Sequence, residues 1–305
     1  MLFSPYKDAS NTMNWNDFVI STQVTGSFVP VSQAMPSDMS VITWAFATGE
    51  CGSEVWGTMA GASVASANVP LMLAAGKRYI ISTGGSAGIF TCGSDAGFEA
   101  FLTTYASANF IGVDFDIEAG QTQAQITAIV QRVQTALVTH PNLRFSVTVA
   151  TGGAAGGNQL GGGAGTVVMQ TIAAAGLTNS VRVNLMAMDY GTGATFCAMN
   201  GTVCDMGQSA INAAESLHSY WNVPYNLIEL TPMIGGNDIV ANVFTLADVS
   251  TVSAYALSKG LSALHYWSFD RDVDCPPGPA SPTCNTYGSA GVLGFGKAFL
   301  ASLGQ

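Results

Sequence analysis

Short apolar, β-branched runs recur along the chain with longer mixed segments between them, and each run has the length of a strand. They fall at Leu2–Tyr6, Val41–Ala47, Arg78–Ser82, Gly112–Glu118, Arg144–Ala150, Arg182–Met188, Leu227–Met233 and Ser262–Trp267. The intervals between their ends run from 32 residues (118 to 150) to 45 (188 to 233), room for a helix and two loops in each. Two helices are plain. Thr122–Val138 carries Ile126, Ile129, Val130, Val133 and Leu137 at a 3.6-residue period and is stopped by Pro141, while the shorter Val167–Ala175 closes at Gly176. Eight strands alternating with helices predict an α/β fold, a (β/α)8 TIM barrel. The lack of any linker, charge block or short repeat predicts one domain over residues 1–305. Gly152–Gly165 holds eight glycines, but no Lys-Ser/Thr pair follows to make a phosphate cradle, so a flexible loop is expected.

Charge narrows the partners. Only 9% of residues are charged, and Lys+Arg number 9 against 19 Asp+Glu, for a net charge of −10. Such a surface neutralises neither a phosphate backbone nor an anionic membrane, so nucleic acid and membrane are excluded and a neutral ligand is expected. Gly, Ser, Asn and Thr interrupt every apolar segment before the run of about 20 residues that a membrane helix needs. No signal peptide is visible at MLFSPYKD, and no appended binding module is expected. The six cysteines lie in loop-like sequence, and local spacing pairs Cys197 with Cys204 and Cys275 with Cys284, leaving Cys51 with Cys92. Disulfides imply a secreted protein. No cysteine pair has the spacing of a zinc site, and neither metal nor cofactor is expected.

The chemistry concentrates in Phe110-Ile111-Gly112-Val113-Asp114-Phe115-Asp116-Ile117-Glu118. On a strand Asp114, Asp116 and Glu118 share one face, and Val113, Phe115 and Ile117 the other. In a barrel the acids would point to the axis, with Glu118 last, at the C-terminal end where active sites lie. Three crowded, desolvated carboxyls raise one another's pKa, so a shared proton near neutral pH is expected and Glu118 becomes a candidate general acid. A metal-dependent barrel enzyme is disfavoured, since no His is in a spaced pair with these acids.

This segment resembles the D-G-x-D-x-D-x-E signature of family 18 glycoside hydrolases, the bacterial chitinases in particular, with Ile111 where the first Asp usually stands. Ser82-Thr83-Gly84-Gly85 matches their S-x-G-G motif on strand three. Met186-Ala187-Met188-Asp189-Tyr190 resembles the strand-six motif, with Met188 in the place of the usual Tyr. Tyr266-Trp267-Ser268-Phe269-Asp270 resembles the strand-eight segment whose Trp floors the central sugar subsite.

The resemblance implies substrate-assisted, retaining hydrolysis of β-1,4-linked N-acetylglucosamine polymers. Glu118 would be acid then base, Asp116 would hold the acetamido N–H, and Asp114 would tune Asp116. Asp189 and Tyr190 would contribute polar contacts, while Trp267, Met186, Met188, Tyr6 and Phe46 would bind sugar. About 28 residues separate Met233 from Ser262, too few for the α+β insertion that some relatives carry between strands seven and eight. An open groove, endo cleavage and a monomer are therefore expected, with Trp56 as an exposed outer platform. Alternatives are an endo-β-N-acetylglucosaminidase acting on N-glycans, which uses the same motif, and a non-catalytic chitin-binding lectin.

Overall fold

In the computed structural model, which describes residues 1–118 and 120–305, parallel strands close into a barrel. They are β1 (Leu2–Phe3 continued by Tyr6–Asp8), β2 (Val41–Ala47), β3 (Arg78–Gly84), β4 (Phe110–Asp116), β5 (Arg144–Ala150), β6 (Arg182–Ala187), β7 (Ile228–Pro232) and β8 (Ala263–Leu264). The seam runs through β1. Its first half pairs with β8 and its second with β2. Pro5, which has no N–H to give, still accepts from Thr43 N at 2.8 Å, while Ser4 N and Tyr6 N bond Leu264 O and Tyr266 O at 3.1 and 3.0 Å. All eight expected strands exist. Several stop earlier than their apolar runs, β4 at Asp116 and β6 at Ala187, because the chain there peels away into the loops of the C-terminal face.

The helices are α1 (Gly61–Ala74), α2 (Asp95–Thr104), α3 (Gln123–Thr139), α4 (Ala164–Ala174), α5 (Met206–Trp221), α6 (Leu246–Lys259) and α7 (Gly294–Ser302). In α3 the expected period buries Ile126, Ile129, Val130 and Val133, and a capping box between Thr122 and Gln125 sets its start. The interval between β1 and β2 departs from the expectation of a helix everywhere. It holds a small antiparallel sheet (Met13–Asn14, Val19–Thr22, Val29–Pro30) and two four-residue turns of helix. Pro30 and Pro36 bracket Val31–Met35, too short a run to repay helix nucleation.

Between β7 and β8 the described residues contain only the hairpin Gly235–Gly236/Val243–Phe244 and α6, so the α+β insertion is absent as expected. Cys51–Cys92, Cys197–Cys204 and Cys275–Cys284 are all disulfide-bonded, each in loops on the C-terminal face. No helix among the described residues is long and apolar enough to cross a membrane.

Candidate active site

Strand alternation turns Phe115 outward, where its ring packs 6.1 and 6.0 Å from those of Phe90 and Phe98, and turns Asp114 and Asp116 inward. Register sets their surroundings. Asp114 stands opposite Ser82 of β3 and Ser146 of β5, and Asp116 opposite Gly84 and Thr148. Asp114 accepts four hydrogen bonds, from Ser146 Oγ (2.7 Å) and Thr148 Oγ1 (2.8 Å) on one oxygen and from Ser82 Oγ (2.8 Å) and Tyr6 Oη (2.9 Å) on the other. Asn184 braces this ring of hydroxyls, donating at 2.9 Å to both Tyr6 Oη and Thr148 Oγ1 and accepting from Thr231 Oγ1 at 2.8 Å. Every lone-pair direction of Asp114 is thereby occupied without help from position 111, where Ile stands in the place of the first Asp of the signature that this strand resembles.

Asp116, two residues on, is treated differently. It is 5% exposed, and its Oδ1 is buried without a partner among the described residues. Burial first, then the neighbouring Glu118 and Asp114 charges, push its carboxyl well above the usual carboxylate range. Burial also raises Glu118, which is half-buried. The glycines of Ser82-Thr83-Gly84-Gly85 gain a reason here. Both have positive φ, a side chain at Gly84 would strike the Asp116 carbonyl, and one at Gly85 would strike the Phe46 ring. Bare backbone thus lets β3, the acids and Phe46 close together.

Asp116 and Glu118 open into a cavity of about 320 Å³ at the C-terminal mouth of the barrel. Trp267 and Phe46 stack with ring centroids 5.7 Å apart and planes 17° off parallel, giving it an aromatic surface, and Tyr6, Met186, Met188 and Met233 line it further. One wall is polar, formed by Asp189 and Asp238. Asp189 sits at φ 51°, with its N–H bonded to Asn237 Oδ1 (3.2 Å) and its Oδ1 accepting from Ile239 N (3.0 Å). Burial raises its pKa, partly offset by that backbone bond. Among the described residues no group of three His, Cys, Asp or Glu side chains is arranged to hold a metal ion.

No protein-family model matches the chain. Over 111 aligned positions, 33% of this chain and 20% of that enzyme, it is 32% identical to Endochitinase 11 of Metarhizium anisopliae. It is 31% identical, over 30% of its length, to 11% of a probable bifunctional chitinase/lysozyme of Escherichia coli strain K12. The chain therefore spans a fifth or less of the curated relatives it matches. Against solved structures the agreement is global. The catalytic domain of a hyperthermophilic chitinase from Pyrococcus furiosus superposes with a TM-score of 0.73, covering 99% of this chain and 94% of that one at 23% identity. The fold is that of a chitinase catalytic domain. A mutant of the same Pyrococcus enzyme complexed with chito-oligosaccharides matches with a TM-score of 0.72. Local sequence likeness falls on chitinases, the group that the strand motifs resemble, while the fold is also shared by a xylanase-alpha-amylase inhibitor protein, at a TM-score of 0.57 over 98% of this chain and 10% identity.

Within this chitinase-like barrel most of the expected residues converge. Glu118, Asp116, Asp189, Trp267, Met186, Met188, Tyr6 and Phe46 all line the cavity, with Asp114 directly beneath. Tyr190 does not line it. It is 5% exposed, its ring lies against Gly153, and burial raises its hydroxyl. Of the pair expected to make polar contacts, only Asp189 lines the cavity. Trp56 is no surface platform either, being 2% exposed with its indole N–H donating to Tyr105 Oη at 2.8 Å. Ser146, Thr148, Asn184, Thr231 and Asp238 were not singled out from sequence. On β5, however, Arg144, Ser146 and Thr148 alternate with Phe145, Val147 and Val149, a polar inward face in plain view.

Proposed function

We propose that the chain is a retaining chitinase acting through the substrate's own 2-acetamido group. The observation that carries this is the contrast between Asp114, saturated by four hydroxyl donors, and Asp116, buried beside Glu118 with a carboxyl oxygen left unpartnered at the cavity. A buried acceptor with no protein partner awaits a donor from a ligand, and an acetamido N–H supplies one.

Glu118, whose pKa burial raises, gives its proton to the glycosidic oxygen as the C1–O bond breaks. The acetamido oxygen closes on C1 to form an oxazolinium ion, whose N–H Asp116 holds while positive charge develops there. Water then attacks C1, returns its proton to Glu118 and reopens the ring, so the β-anomer is kept. Trp267 and Phe46 offer ring faces to sugar C–H surfaces, and Asp189 offers its carboxylate to a sugar hydroxyl or amide. With no inserted domain walling the groove, internal bonds of a polymer can enter, and endo cleavage follows. Three disulfides fit a secreted protein, acting as a monomer.

The test is hydrolysis of a chromogenic β-glycoside of N,N′-diacetylchitobiose by the parent and by Glu118→Gln, with the fresh product's anomer followed by NMR. Cleavage by the parent only, β-anomer first, is expected. Equal rates for the two proteins would sink the assignment, and cleavage of N-glycan cores without chitin oligomers would redirect it to the endo-β-N-acetylglucosaminidase.

A further inference from the structure

Two loops beside the cavity carry apolar side chains that the proposed chemistry does not use. The loop after β6 presents Phe196 (52% exposed), Met199 and Val203 (54%) around the hairpin Met199–Asn200/Val203–Cys204, and the loop after β7 presents Ile239, Val240 (65%) and Val243. They rise side by side. Asn242 exchanges two hydrogen bonds with Gly191, through its amide N–H to Gly191 O (2.8 Å) and its amide oxygen from Gly191 N (3.3 Å). Ile239 N bonds the Asp189 carboxylate. The Cys197–Cys204 disulfide closes the first loop. The result is a braced apolar surface in a chain with a net charge of −10, yet no charged residue occurs from 190 to 204 or from 239 to 247.

We propose that this double-hairpin rim is a docking surface for the face of insoluble chitin, holding the polymer beside the cleft. The inference rests on the chitinase reading. Continuity selects the occupant, for Asp189 at the start of the first loop and Asp238 within the turn of the second hairpin both line the cavity, so a polymer lying in the groove runs on across the rim. Charge agrees, since an apolar surface whose own segments carry no charged side chain suits a neutral polymer with exposed C–H faces. Bracing matters as well, because side chains on fixed hairpins lose little freedom when a flat surface lands on them.

The test uses Phe196→Ser/Val203→Thr/Val240→Ser. All three positions are exposed and outside the cavity lining, so hydrolysis of a soluble triacetylchitotriose glycoside should stay at the parent value. In a Glu118→Gln background, where nothing is digested, affinity for chitin powder should fall roughly tenfold or more as buried apolar area is lost. Unchanged binding to the powder overturns the proposal. So does a concentration-dependent parent dimer that the substitutions abolish while chitin binding stays, which would make the rim a contact with a second copy. Because the binding arm needs no turnover, an inactive parent would reject the chitinase reading on the soluble arm without deciding the rim.

Discussion

Two acids on one strand, two residues apart, have been given opposite surroundings, and that difference sets what each can do. Asp114 is buried and saturated, Asp116 is buried and unsaturated. Asp116→Asn keeps shape but weakens the hold on a developing positive charge, so kcat should fall on the order of a hundred- to a thousandfold, measured on the chromogenic substrate with unfolding followed in parallel. Burial raises Glu118, so the protonated acid persists to higher pH than for a free glutamate. The basic limb of the kcat/KM–pH profile should therefore lie above the ordinary Glu range, with activity declining as pH climbs through the raised value. Parity along β4 made the acid triad legible from sequence. The hydroxyls that converge on Asp114 come from β1, β3 and β5, and only the closed barrel's register brings them together. Trp56 departs from expectation for a related reason, because the tyrosine that accepts its indole N–H lies 49 residues away.

Among the elements, local signals fared best where the chain's own chemistry decides the outcome. The capping box of α3 and the spacing of its apolar face are written within one segment. The start of α7 is not. Asp272, far upstream in sequence, accepts from Phe295 N (2.9 Å), Gly296 N (2.7 Å) and Tyr266 Oη (3.0 Å). Burial outweighs these donors and lifts its pKa to about 6. A carboxyl raised on folding binds its proton more tightly in the folded chain, so its contribution is fullest below the unfolded value near 4 and is lost as pH rises through about 6. Relative to the non-titrating Asp272→Asn, the parent should lose thermal stability between pH 4 and pH 7, and a pH-independent difference in Tm would contradict this. The interval after β1 departs from the helix that strand spacing allowed for a local reason, the two prolines Pro30 and Pro36 within it.

At the scale of the molecule, three disulfides pin the loops that frame the cleft, and their spans differ. Cys51 and Cys92 are 41 residues apart, against 7 for Cys197 and Cys204. Loop-closure entropy then makes removal of the first cost about 4 kcal/mol and of the second about 2.5 kcal/mol, an order that denaturant unfolding of Cys→Ala pairs would check. The barrel count itself was legible, because βα units of regular length leave a period no single element reveals.

The seam in β1 sets a timetable for biosynthesis. Tyr6, which bonds Asp114, lies in a strand whose other edge is completed only by residues 262–266. At ribosomal rates of about 5–20 residues per second, the first strand waits on the order of ten to fifty seconds for its neighbour. A chain that stops before residues 262–266 therefore leaves β1 with an open edge, and Tyr6 comes to Asp114 from a strand paired on one side alone.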